Sequence, residues 1–179
     1  MSSEDTTWVI EGRLPMHLIP YQRVTGPGRF SKTAKRYHAR QAEVRAYMFE
    51  QVRQCPRWRE RALAAALLLD PGHAVIDEPV RVGLVVYLPP VKSGPNKGNL
   101  PASGGDWDNW LKALLDALGW HNERDPAHLI NGDAPRWYRG PALVAGVFPG
   151  VYLNTKITAP VFCYSITGAT PPGNWRPAP

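Results

Sequence analysis

The stretch "PVRVGLVVYLPP", residues 79–90, constrains the fold more than any other. From Val80 to Leu88 only Arg81 is charged, and the β-branched and aromatic content suits an extended, pleated backbone. Prolines bound the run at strand length, far short of the roughly 20 apolar residues that a membrane span needs. Its apolar character is continuous rather than alternating, which predicts a strand buried on both faces. Such a strand must sit inside a sheet, and the rest of the chain must cover it.

The flanking segments supply that cover. "TWVIEGRLP" reads as a strand stopped by Pro15. A helix is expected over 33–54, with Ser31 as its N-cap and Pro56 beyond its end. Tyr37, Val44, Tyr47, Met48 and Val52 share one side of it. An Ala- and Leu-rich helix is expected over 58–69, stopped at "DPGH". The central strand is followed by "VKSGPNKGNLPASGG", a loop carrying Lys92 and Lys97; loops of about 15 residues are uncommon unless functional or disordered. A third helix starts near Asp108. The chain then reads mostly as loop, with a short "HLI" strand, before two closing strands in "PALVAGVFPGVYL" and "APVFCYSITG". The order β, α, α, β, α, β, β predicts an α+β fold, a single-layer mixed sheet covered by helices. One domain is expected over 7–169, between a flexible polar tail at 1–6 and a Pro-rich tail at 170–179. With 44% hydrophobic residues in 179, the chain can bury a core without staples.

The charge is uneven. The chain carries 21 Lys and Arg against 15 Asp and Glu, a formal net charge of +6. Twelve of the basic residues lie between Arg13 and Arg61, alongside only three acidic ones, Glu43, Glu50 and Glu60. A polyanionic partner would use such a segment, because cations near phosphates release condensed counterions; a solvated helix face would explain it too. Tyr21, Phe30, Tyr37 and Tyr47 are interleaved and could stack on bases or pack internally. The two cysteines, Cys55 and Cys163, lack CxxC or CxxH spacing, which argues against a disulfide framework or a zinc knuckle. A single bridge between them stays open, and two free thiols in a reducing cytoplasm are the simpler expectation. "MSSEDTTWVIEG" has no basic stretch followed by an apolar run, so no secretory signal is expected.

The chemistry concentrates in "GGDWDNWLKALLDALGW", residues 104–120. Placed on a helix, Trp107, Leu111, Leu114, Leu115 and Leu118 form an apolar stripe, and Asp108, Lys112 and Asp116 form a neighbouring row at i, i+4, i+8. Asp106 lies just before the helix, after two glycines that permit a tight entry. An N-capping Asp and an i,i+4 ion pair account for one carboxylate and the lysine. A second carboxylate two residues away is not explained so simply, because two such charges repel unless a cation lies between them. The spacing alone leaves capping and metal binding both open. It does exclude an EF-hand loop beginning at Asp106, whose sixth and twelfth positions would be Leu111 and Ala117 rather than Gly and Glu. A catalytic-Asp phosphatase would want an apolar strand where "PASGG" stands.

"DWDNWLKALLDAL" resembles the signature of the RusA family of Holliday junction resolvases: an Asp-x-Asp-Asn, a Lys four residues after the second Asp, then Asp-Ala-Leu. The matching residues are Asp106, Asp108, Asn109, Lys112, Asp116, Ala117 and Leu118. "LINGDAPRWYRG" resembles the family's later pair of acids, with Asp133 in the second position and Gly132 departing from the first. "GRLPMHLIPYQRVTGPGRFSKTAKRY" follows the family's order of strand, proline and basic turn into a helix, while "WRERALAAALLLDPGHAVIDE" reads as an insertion. The resemblance implies a small homodimeric Mg²⁺-dependent endodeoxyribonuclease of phages and prophages, with Mn²⁺ as a substitute metal, that resolves four-way DNA junctions by paired nicks. It implies Asp106, Asp108 and Asp133 as metal ligands, with Asp125 as the alternative to Asp133. Lys112 would be catalytic alongside them, and Arg23, Arg29, Lys32, Lys35 and Arg36 would contact DNA. A protein that kept the fold but only binds branched DNA is the rival reading, kept open by Gly132.

Overall fold

A computed structural model describes residues 8–21, 31–67, 74–101, 107–119, 128–130 and 144–168. Nine elements run in the order β1 (Val9–Arg13), α1 (Lys32–Gln54), α2 (Arg59–Ala66), β2 (Ala74–Ile76), β3 (Val80–Leu88), α3 (Trp107–Leu118), β4 (His128–Ile130), β5 (Val144–Leu153) and β6 (Val161–Gly168). The fold is α+β with a mixed sheet. The expected tails and part of the long loop before α3 lie outside the described residues.

The main sheet has the order β1-β6-β3-β5. Strand β3 pairs antiparallel with β6 and parallel with β5, so both its edges are bonded. The parallel partner needs a crossover, and α3 lies within it. A single layer was expected, but a separate parallel pair, β2 with β4, forms a second small sheet. Both strands are three residues long. "AVI" before "DEPV" is too short to carry a period, which is why β2 is not visible as an element in the sequence.

Burial differs between the two faces of β3. Val80, Val82, Leu84, Val86 and Leu88 are buried, whereas on the other face Arg81 is exposed, Gly83 is buried, and Val85 and Tyr87 are half-buried. The expectation of burial on both faces is therefore corrected: one face packs on the core, and the other is partly covered among the described residues. Tyr87 meets Tyr152 of β5 on that second face, with ring centroids 5.9 Å apart. The core face of the sheet adds Ile10 from β1, and Phe162, Tyr164 and Ile166 from β6.

The helices cover this face. Ser31 caps α1 as expected, its hydroxyl accepting the Ala34 N–H at 3.1 Å. Ala34, Tyr37, Gln41, Val44, Met48 and Val52 are the buried positions of α1, at helical spacing. Tyr47 is only half-buried; its hydroxyl donates to the Arg13 carbonyl and its ring meets Tyr164 edge-on. Helix α2 is shorter than its apolar composition suggests, ending at Ala66. It is fastened by arginines: Arg61 bridges Asp77 at 2.7 Å and donates to the Ala74 carbonyl at 2.9 Å. Just before α2, Arg57 pairs with Glu78 at 2.6 Å and lies over the Trp58 ring. Glu78 also accepts the Trp8 indole N–H, which ties the start of β1 to this corner.

Cys55 and Cys163 are free thiols, both half-buried. Among the described residues no helix is long and apolar enough to cross a membrane. Met48 is fully buried, between the helices and the sheet. Met48→Ala is expected to lower the unfolding free energy by about 2–5 kcal/mol in urea titrations, whereas exposed Lys35→Ala should change it by no more than about 0.5 kcal/mol.

Candidate nucleic-acid and metal site on helix α3

Helix α3 forms where the spacing predicted it, and it is the most strongly amphipathic of the three described helices. Leu111, Leu114 and Leu118 are buried as expected, and Leu115 is partly buried. The buried stripe also includes Trp110, Ala113 and Ala117. Trp110 packs edge-on against Phe162 of β6, fixing how α3 lies on the sheet. The two alanines have no long side chain and so permit close approach of neighbouring backbone.

Asp108 lies in the first turn and is exposed. One of its carboxylate oxygens accepts the Asn109 N–H at 3.0 Å. An acid here suits the positive end of the helix dipole, so the position is favourable before any ligand is considered. The Asn109 carbonyl accepts the backbone N–H of Tyr21 at 2.9 Å. This bond docks the end of the segment after β1 onto the first turns of α3.

Asp116, two turns after Asp108, has a different environment. Its Oδ2 accepts the Tyr37 hydroxyl at 3.0 Å, and its Oδ1 faces the Lys112 ammonium at 3.5 Å. Both oxygens are thus engaged within the protein, and the side chain is only 16% exposed. Asp116 is a structural carboxylate rather than a free metal ligand. Lys112 also lies over the ring of Tyr21, 4.9 Å from its centroid. The Tyr21 and Tyr37 rings meet edge to face at 6.1 Å. Two aromatics that sequence reading could place only as stacking or packing residues therefore form a polar-apolar cradle around Lys112 and Asp116.

The same helix crossing caps the other end of α3. Arg45 Nε donates to the Ala117 carbonyl at 2.9 Å, supplying a cation to a C-terminus with no basic residue in its own last turn. Burial lowers the Arg45 pKa from its ordinary value, yet arginine remains charged. Gln41 lies between these two contacts along α1 and is buried, and among the described residues no partner lies at full hydrogen-bonding geometry to its amide.

Of the expected DNA contacts, Lys32, Lys35 and Arg36 are exposed at the start of α1, whose first turn carries no acidic residue. Arg23 and Arg29 lie outside the described residues. So do Asp106, Asp133, the alternative Asp125, Gly132 and Phe30. Among the described residues no group of three metal-ligating side chains converges, and of the three expected metal carboxylates only Asp108 can be placed. Its exposed hard oxygens fit Mg²⁺ chemistry. Compared with known proteins, the chain matches no family model and no curated protein.

The Tyr37 pKa is raised, first by burial and then by the Asp116 charge and hydrogen bond, with the Tyr21 ring adding to the shift and the nearby Gln41 amide offsetting part of it. Tyr164 is also raised, by burial first and then by Tyr47. Both phenols should stay protonated at pH values of about 11, where an ordinary tyrosine ionises. Asp116→Asn should bring Tyr37 only part of the way back, because burial is the larger cause; ring-carbon NMR through an alkaline titration reads this. The folded chain holds these protons more tightly than the unfolded chain. Their contribution to stability is therefore present below about pH 10 and lost progressively as pH rises above it.

Proposed function

We propose that this protein is a Mg²⁺-dependent, structure-selective endodeoxyribonuclease of the RusA kind, acting as a homodimer to resolve four-way DNA junctions by paired symmetric nicks. The observation that carries the reading is the contrast along one helix row. Asp116 is consumed by Tyr37 and Lys112, while Asp108 presents an exposed carboxylate at the helix start, two residues after Asp106 in the sequence. A helix built only for stability has no need of the Asp106–Asp108 pair, and the motif "DWDNWLKALLDAL" is the one the resolvases carry.

The metal, held by Asp108 with Asp106 and Asp133, would supply Lewis acidity at the phosphate and a deprotonated water as nucleophile. The protein's own groups would do the rest. Lys112, one turn from Asp108, offers a positive charge to the phosphate oxygens as negative charge builds on them. The basic cluster at the start of α1 supports a DNA partner for a second reason. Cations at a helix N-terminus oppose the helix dipole, so Lys32, Lys35 and Arg36 cost local stability where they stand. Local rules are broken in this way mostly at functional sites. The segment 22–30, with Arg23 and Arg29, begins just after Tyr21 and ends at the Ser31 cap. Tyr21 bonds to α3 directly, and α1 does so through Tyr37, so both borders of the basic segment are tied to the motif helix. Phosphate contacts of this type give affinity without sequence information, so junction preference would come from shape. A two-fold dimer supplies two sites for two symmetric cuts.

A labelled four-way junction tests the reading. With Mg²⁺ the wild-type protein should nick it symmetrically, and EDTA should abolish the nicks. A mobility shift with intact strands under both conditions would instead favour the binding-only reading that Gly132 keeps open. Asp108→Asn and Asp133→Asn should each retain binding and lose cleavage, while Asp125→Asn should cut normally; loss in Asp125→Asn alone would move the third ligand there. Junction affinity should fall by orders of magnitude between about 50 and 200 mM salt.

A further inference from the structure

Two carboxylates of its own helix flank Lys112. Asp108 lies one turn before it and Asp116 one turn after. On an isolated helix an acid N-terminal to the lysine at i,i+4 makes the better pair, and the reverse order is weaker. Intrinsic preference would therefore draw the ammonium toward Asp108, the residue read above as a metal ligand, and partly neutralise it. The protein opposes this with contacts from outside α3. Tyr37, on α1, bonds to Asp116 Oδ2 at 3.0 Å and leaves Oδ1 toward Lys112. Tyr37 is 5% exposed and braced by the Tyr21 ring, so its hydroxyl has little freedom to leave. The Tyr21 face adds a cation–π contact under the same ammonium. A lysine on a helix surface otherwise has four rotatable bonds and a strongly hydrated head.

We propose that Tyr37 is a positioning residue: by fixing the Asp116 carboxylate it holds the Lys112 ammonium over the Tyr21 ring and on the Asp116 side of the helix row. This rests on the nuclease reading for its consequence, though not for its geometry. The contact joins residues 79 positions apart, and it couples the basic helix to the motif helix through one neutral hydroxyl.

The test is Y37F, which removes only the hydroxyl, read in two ways. In wild type the Lys112 ε-methylene protons should be shifted upfield by the Tyr21 ring current, and in Y37F they should move toward the value of an exposed lysine. With Mg²⁺ and a four-way junction, the single-turnover cleavage rate of Y37F should fall roughly 10–100-fold, while the junction Kd stays within about twofold. In a K112A background, Y37F should slow cleavage no further, because the hydroxyl acts through the lysine. D116N should reproduce both readouts, and it carries the same test if Y37F does not fold. A Lys112 resonance unmoved in Y37F, a wild-type cleavage rate, or an equal loss with and without Lys112 would overturn the proposal and leave the nuclease reading standing. A wild-type protein that never cuts would overturn both.

Discussion

The crossing of α1 over α3 is the contact on which the remaining arrangement depends. Its interior is apolar, from Val44 and Met48 on one helix to Leu111, Leu114 and Leu118 on the other, all part of the one core. Its margin is polar and specific, with Tyr37 bonded to Asp116 and Arg45 to the Ala117 carbonyl. Apolar burial drives the two helices together but does not choose their register, since it is non-directional. The two hydrogen bonds do, because sliding either helix by one residue would break both. The polar row of α3 is placed by the same choice.

Sheet and helices reinforce one another at a second level. Strand β3 is bonded on both edges, and α3 lies in the connection from β3 to its parallel partner β5. In the chain the motif helix lies between these two strands, with β4 of the small sheet following it. Trp110 against Phe162 seats it on the main sheet. The Tyr21 N–H to the Asn109 carbonyl then adds a third chain segment to its first turns. A helix held by a sheet, a neighbouring helix and a loop is a rigid mount, which is what a carboxylate needs if it is to hold a cation in fixed geometry.

Much of this was legible in the sequence, and the exceptions have a common cause. The long helix with its Ser31 cap, the central strand, the motif helix and the closing strands all follow from periodicity or capping, which act over a few residues. The second sheet escaped because β2 and β4 are each three residues long and pair across about fifty positions. The continuous apolar run of β3 suggested two buried faces; the half-buried Val85 and Tyr87 show that composition does not report which face is covered. In the site, the row Asp108, Lys112, Asp116 was readable from spacing. That Asp116 is spoken for by Tyr37 was not, because nothing within a helical turn of either residue records a partner 79 positions away. The same holds for Arg45, which reads as one more surface cation until it is found at the end of another helix.

Pro149 sits in the middle of β5, in register with Leu84 of β3, and β5 is one of the two outer strands of the main sheet among the described residues. Proline brings no N–H, so a strand carrying it at mid-length offers an interrupted row of donors to any newcomer. Outer strands with unbroken donors invite other chains to zip onto them, and this one is blunted at its centre. Two copies of the protein would find no continuous ladder to share there. Strand pairing would be left to β1, the opposite border of the sheet among the described residues, and any other association to side-chain surfaces, whose fit can be tuned one residue at a time.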